Sequence, residues 1–251
     1  MIRHRQNDPL TAETFKRALP GFQILVRPCL RSTQDFAISL LRSGQLRAPA
    51  IIVASRQTAG RGQRDNRWWS DRGSLCMTFV LSAIGEPPGQ VPLRAGLGVA
   101  AALARWAPTA ALSLKWPNDV LANGRKIAGI LCERLEECDV IGIGINVNVR
   151  MQAMPTDVRR RSASLHQLTR RPVLRMSLAV DVARELMSAL KRRDFFEEYC
   201  RWLIQLGRDV TVRTDDGVVA GRCQGIDDCG RLLLETDRGV IALSDSRAIV
   251  G

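Results

Sequence analysis

The apolar positions of the chain fall into two textures. Up to about residue 206, short apolar runs alternate with stretches of helical spacing; beyond Gly207 they come in brief alternating pieces cut by Asp/Gly turns. In the first part, residues 22–28, 50–54, 74–82, 111–115, 128–133 and 140–149 read as strands. A helix is predicted over 36–41, with Ser32 or Thr33 as its N-cap, a position that also suits a polar ligand group. Another covers 92–106, where Leu93, Leu97, Ala100, Ala101 and Ala104 share one face, and two more cover 176–190 and 195–206. The pair Asn123-Gly124 predicts a tight hairpin that returns Lys126 to the corner at Asn118-Asp119, whose oxygens are of the type magnesium prefers. Residues 150–175 are Arg-rich and read as irregular, with His166 an ordinary surface or helix residue. Four or five short strands after residue 207 suggest a small barrel of SH3 type that leans on the main domain, since about 45 residues are marginal alone. The expected division is a short extension over 1–20, a main domain over 21–206 and the small domain over 207–251.

One stretch departs from this regular patterning. Residues 60–73, between the strands at 50–54 and 74–82, must form a loop, and loops of that length are seldom kept without a use. It holds four Arg, three Gly and two Trp: glycine lets backbone N–H groups approach an anion, arginine matches phosphate or carboxylate oxygens, and tryptophan offers a face to a purine. It reads as an anion and nucleotide clasp; the alternative is an exposed Arg-rich loop with two surface tryptophans. Gly142 and Gly144 strip side chains from one strand face, giving either a groove floor for a flat ligand or a close strand contact.

Composition narrows the classes. No run approaches a membrane span of ~18 apolar residues, and residues 1–8 lack the apolar core of a signal peptide, so a cytoplasmic protein is expected. The seven cysteines include no CxxC pair, which argues for reduced, mostly buried thiols rather than a disulfide framework or zinc ribbon. No Walker A pattern occurs, and the Gly-rich residues 96–101 follow no strand, so they read as a helix-packing contact. The net charge of +12 fits either a polyanionic partner or an Arg-rich composition, but the basic residues are spread out and no DNA-binding motif is present. Against 33 Arg there are four Lys, which marks Lys115 and Lys126 as candidates for work that needs a compact ammonium.

Ser32-Thr33-Gln34, Gln57-Thr58-Ala59-Gly60-Arg61-Gly62, Asn66-Arg67-Trp68, Lys115-Trp116-Pro117-Asn118-Asp119, Lys126 to Leu131 and Gly142-Ile143-Gly144-Ile145-Asn146 occur in the order and approximate spacing of the biotin protein ligases. With the C-terminal barrel, the chain resembles that family from about residue 22 onward. The resemblance implies an α+β fold: a mixed or antiparallel sheet with helices on one side, plus the SH3-like barrel. It implies that biotin and ATP form biotinyl-5'-AMP, with Mg²⁺, and that biotin then passes to a lysine of a biotin carboxyl carrier domain. Ser32, Thr33, Gln34 and Gln57 would hold biotin together with Arg61, Gly62, Gln63, Lys126, Gly129, Gly142 and Gly144. Arg64, Arg67, Trp68, Lys115, Asn118, Asp119 and Asn146 would serve ATP, with Trp68 stacked on adenine. Asp119 would also be the metal ligand, and Lys126 and Arg61 the catalytic cations. The resemblance further implies a ligase without the N-terminal DNA-binding domain of some members, with no specific nucleic-acid partner, no membrane and a homodimer left open.

The chain departs from the family pattern at Gln63, where many members have Arg, and at Asp65, where many have Gly. Both changes lower the positive charge near the phosphates, so the adenylate is expected to be held less firmly and to label surrounding lysines. Off-target biotinylation by wild type and by Gln63→Arg tests this, and equal labelling would refute it. The rival readings are a lipoate or octanoate ligase or transferase, and a non-catalytic basic relative that binds nucleic acid.

Overall fold

The structure is a computed structural model and describes residues 10–83 and 85–250. In chain order it runs through helix α1 (Ala12–Ala18), strand β1 (Gln23–Arg27), α2 (Thr33–Arg42), β2 (Ala50–Ala54), β3 (Gly60–Arg61), β4 (Arg67–Trp68), β5 (Ser74–Ser82) and α3 (Gln90–Trp106). Strands β6 (Leu112–Lys115), β7 (Asp119–Ala122), β8 (Arg125–Leu135) and β9 (Cys138–Asn146) follow, then helices α4 (Thr156–Arg160), α5 (Leu165–Thr169), α6 (Arg175–Ala189) and α7 (Phe195–Trp202). The chain ends in β10 (Asp209–Arg213), β11 (Val218–Ile226), β12 (Leu232–Thr236), β13 (Gly239–Leu243) and β14 (Ala248–Val250).

Seven strands form the main sheet in the order β1-β2-β5-β9-β8-β7-β6; β1 and β2 run parallel and the other neighbours antiparallel. The all-apolar strand β2 shows why both faces must be covered. Ile51 and Val53 join the large core under α3 and α6, whereas Ala50 and Ile52 join Val80, Val140 and Ala37 of α2 on the opposite face. The helices therefore lie on both sides of the sheet, not on one side as the resemblance implied. Gly98 accounts for the small residues of α3: a Cβ there would come within 2.8 Å of the Leu186 backbone, so only glycine permits this close crossing with α6.

Other expectations need correction. Helix α1 sends the fully buried Phe15 into the large core, so residues 10–20 are part of the main packing; residues 1–9 lie outside the described residues. The stretch at 150–175 contains the short helices α4 and α5, the latter closed by a capping box at Ser164 and Gln167, with His166 on it. Helix α7 stops at Trp202 instead of reaching 206. Cys76 and Cys223 are buried, Cys132, Cys138 and Cys200 are half-buried and Cys29 and Cys229 are exposed, so fewer cysteines are buried than expected.

The C-terminal strands form one antiparallel sheet in the order β13-β12-β11-β10-β14. Val210, Val212, Leu232 and Leu234 share the large core with the main domain, which is how so small a sheet keeps its apolar face out of water. Trp116, 1% exposed, is the anchor: its indole N–H donates to the Gly230 carbonyl at 2.9 Å. Gln90 Nε2 donates to Asp228 O at 2.5 Å and Lys115 Nζ to Ile249 O at 3.0 Å.

Candidate functional site

The long loop after β2 is not wholly irregular. Gly60 pairs with Trp68 and Arg61 with Arg67, making a two-stranded hairpin of β3 and β4 whose tip is closed by Gly62 N–H donating to Asn66 O at 2.7 Å. This hairpin packs through Trp68 on β8 and β9. Gly129 and Gly144 are register partners on those strands, so two missing side chains lie side by side and create a flat floor. The floor carries Trp68: a Cβ on Gly144 would overlap its indole, and one on Gly129 would come within 3.3 Å of it. The tryptophan expected to stack on adenine thus packs on the glycine bed. Gly142 extends the floor beneath Gln34, where an added Cβ would come within 2.6 Å of Oε1.

Around the floor, polar groups are fixed from several elements. Ser32 caps α2 by accepting from Asp35 N–H, which presents Thr33 and Gln34 at the start of the helix. Gln57 Oε1 accepts from Thr33 N (2.7 Å) and Oγ1 (3.0 Å), and Thr78 Oγ1 donates to Thr33 Oγ1 at 2.9 Å. Gln34 Nε2 donates to Glu133 and to Val140 O. Asn123 and Gly124, at φ 50° and 74°, form the expected tight turn between β7 and β8. That turn brings Lys126 Nζ to 2.5 Å from Asp119 Oδ1, with the ammonium 5.7 Å from the Trp68 ring centre. Asn118 Nδ2 donates to Ile130 O, so part of its side chain holds β8 in place.

The residues assigned from the sequence converge. All of them except Arg64 line one cavity of about 580 Å³, a size suited to a small-molecule ligand. Arg64 instead sits at the hairpin tip against carboxylates of the C-terminal sheet. Asn146 Oδ1, on a residue 3% exposed, has no hydrogen-bond partner among the described residues, so it is an acceptor available to a ligand donor. Several participants were missed. Arg61 donates to Glu133 at 3.0 Å and to Asp35 at 2.8 Å. The hydrogen bond to Glu133, then that to Asp35, hold its guanidinium above its ordinary pKa against the opposing effect of burial. Gln205 and residues 246–249, from the junction and the C-terminal sheet, also line the cavity, and Met154 and Val158 contribute apolar lining. Beneath the site, burial pushes the Cys76 thiol up to about 12, only partly countered by hydrogen bonds from Ser70, Trp68 and Gln57.

Comparison with known proteins gives this geometry a family. Residues 26–149 match the biotin/lipoate A/B protein ligase family, and residues 206–244 match the biotin protein ligase C-terminal domain. The biotin--[acetyl-CoA-carboxylase] ligase of Mycobacterium tuberculosis is 30% identical over 259 residues, covering 96% of both chains. The chain belongs to the biotin protein ligase family. The bifunctional ligase/repressor BirA of Bacillus spizizenii is 32% identical to this ligase over 245 residues, spanning 90% of this chain and 73% of that protein. Among solved structures, the biotin protein ligase from Aquifex aeolicus in complex with biotin and ATP superposes with a TM-score of 0.81 at 28% identity, covering 91% of this ligase and 98% of that chain.

Proposed function

We propose that this protein is an ATP-dependent biotin protein ligase that forms biotinyl-5'-AMP and then transfers biotin to one lysine of a biotin carboxyl carrier domain. The observation that carries this reading is the single cavity in which a glycine floor, the Lys126–Asp119 pair and the clasp hairpin meet.

In the first step a biotin carboxylate oxygen attacks the α-phosphorus of ATP; the new O–P bond forms as the bond to pyrophosphate breaks. Two anions must approach, so fixed cations and positioning carry the catalysis. Lys126, paired with Asp119, bridges the carboxylate and the α-phosphate. Arg61, held by Glu133 and Asp35, supplies the second fixed positive charge. Thr33, Gln34 and Gln57 offer donors and acceptors to the ureido ring, while Arg67 and the unpartnered Asn146 oxygen serve the nucleotide. In the second step the acceptor lysine nitrogen attacks the biotinyl carbonyl carbon, AMP leaves and the amine loses a proton.

Mg²⁺ would be held at Asp119 with Asn118 alongside. One carboxylate and one amide fit an ion that takes most of its ligands from water and phosphate, and its charge would neutralise the departing diphosphate.

The test is the intact mass of a biotin carboxyl carrier domain after incubation with the enzyme, biotin, ATP and Mg²⁺. One biotinyl increment that requires ATP is expected. Lys126→Ala should lower the rate by about one to two decades, since charge-assisted hydrogen bonds contribute roughly 1.5–3 kcal/mol. No increment on several acceptors would refute the activity, and competition by lipoate as effective as that by biotin would move the substrate to the other branch.

A further inference from the structure

Arg64 is the one expected nucleotide residue outside the cavity lining, and its surroundings suggest different work. It occupies the tip of the β3–β4 hairpin at φ 56°, a left-handed conformation unfavourable for a non-glycine residue unless contacts fix it. Those contacts come from the other domain. Nη1 lies 2.7 Å from both carboxylate oxygens of Asp215, in the β10–β11 turn, and Nη2 lies 2.8 Å from Asp245, between β13 and β14. Asp215 also accepts from Arg247 Nε, and Arg247 N–H donates to Arg213 O at 2.7 Å, which ties the β13–β14 connection to β10. Ser246 and Arg247 of that same connection, with Ala248 and Ile249 at the start of β14, line the cavity. The tip of the clasp is therefore fastened to a segment that lines the site, through a cluster of two arginines and two aspartates.

We propose that Asp215 and Asp245 act through Arg64 as a latch, so that the C-terminal sheet sets how long the biotinyl-adenylate is retained beneath the clasp. The proposal rests on the ligase reading. Asp215 and Asp245 are positioning residues: they touch neither cavity nor substrate, and they hold the hairpin that carries Trp68, Arg61 and Gln63 over the site. Because the three side chains work as one unit, removing either side of the contact opens the same latch, and removing both does no further damage. The pairs are partly exposed, so salt weakens them.

The experiment measures release of preformed radiolabelled biotinyl-adenylate from full-length enzyme into excess unlabelled biotin. Wild type is compared with Arg64→Gln, with Asp215→Asn/Asp245→Asn, and with the triple variant. The expected result is release about fivefold to tenfold faster in all three variants, equal within twofold. Wild-type release should accelerate with added salt while variant release does not, and the Asp double variant should keep biotin affinity. Unchanged release in the Asp double variant would overturn the latch. Slower release there would also overturn it, because it would mean that the carboxylates merely hold Arg64 away from the phosphates. Failure of wild type to form adenylate at all would count against the ligase activity, a distinct outcome. Melting curves of the four proteins separate loss of fold from loss of the latch.

Discussion

At the scale of single residues, the glycine floor makes the sharpest demand. Gly144 has no room for a methyl group while Trp68 lies on it, and Gly129, its cross-strand partner, is nearly as confined by Lys126 and Trp68. Gly144→Ala should expel the indole and narrow the slot. Biotin affinity measured by titration calorimetry is expected to fall at least about tenfold, the cost of crowding a well-packed site by one methyl being roughly 1–3 kcal/mol. The fold should survive, because the displaced ring belongs to the clasp and not to the core. Much of this site was legible in the sequence: alternating glycines, an Asn-Gly turn and four lysines among many arginines each carry a local physical signal. The partners of Arg61 were not. Asp35 lies 26 residues away and Glu133 lies 72 away, and no periodicity relates a loop arginine to carboxylates on a helix and a distant strand.

At the scale of elements, the long apolar segments read cleanly. Strand β2 falls on its expected residues because its neighbours 49 and 55 are a proline and a polar serine, and a continuous apolar run between them can only be a strand buried on both faces. That same burial already implied cover on both sides of the sheet, so the position of α2 opposite α3 and α6 follows from β2 once its pairing is known. Short elements escaped for a different reason. Helices α4 and α5 have five residues each, too few for a helical apolar stripe, and the β3–β4 hairpin pairs only two residues per strand. Such pieces are held by tertiary contacts: Lys126 exchanges backbone hydrogen bonds with Arg161 and Ala163, fixing the segment after α4 to the start of β8.

At the scale of the molecule, the seven-stranded sheet and the C-terminal sheet share one core, and the Arg64 cluster adds an ion-pair contact between them. This has a consequence for pH. Hydrogen bonds from Arg64 and then Arg247 hold the Asp215 carboxyl below the ordinary carboxylate range. A group whose folded value is depressed contributes stability that is present above its unfolded value and lost as pH falls through the folded one. The denaturant midpoint of wild type is therefore expected to exceed that of Asp215→Asn at neutral pH. The gap should hold down to the ordinary carboxylate range and then close with further acidification. Equal midpoints at neutral pH would show that the interdomain cluster contributes nothing to folding.

The indole packed on the glycine bed also gives this enzyme an optical reporter of its own. A ring held against Gly129 and Gly144, with the Lys126 ammonium 5.7 Å from its centre, takes its emission from those neighbours. Any ligand or substitution that shifts the clasp therefore changes that emission, and the state of the slot can be read from the light of the protein itself.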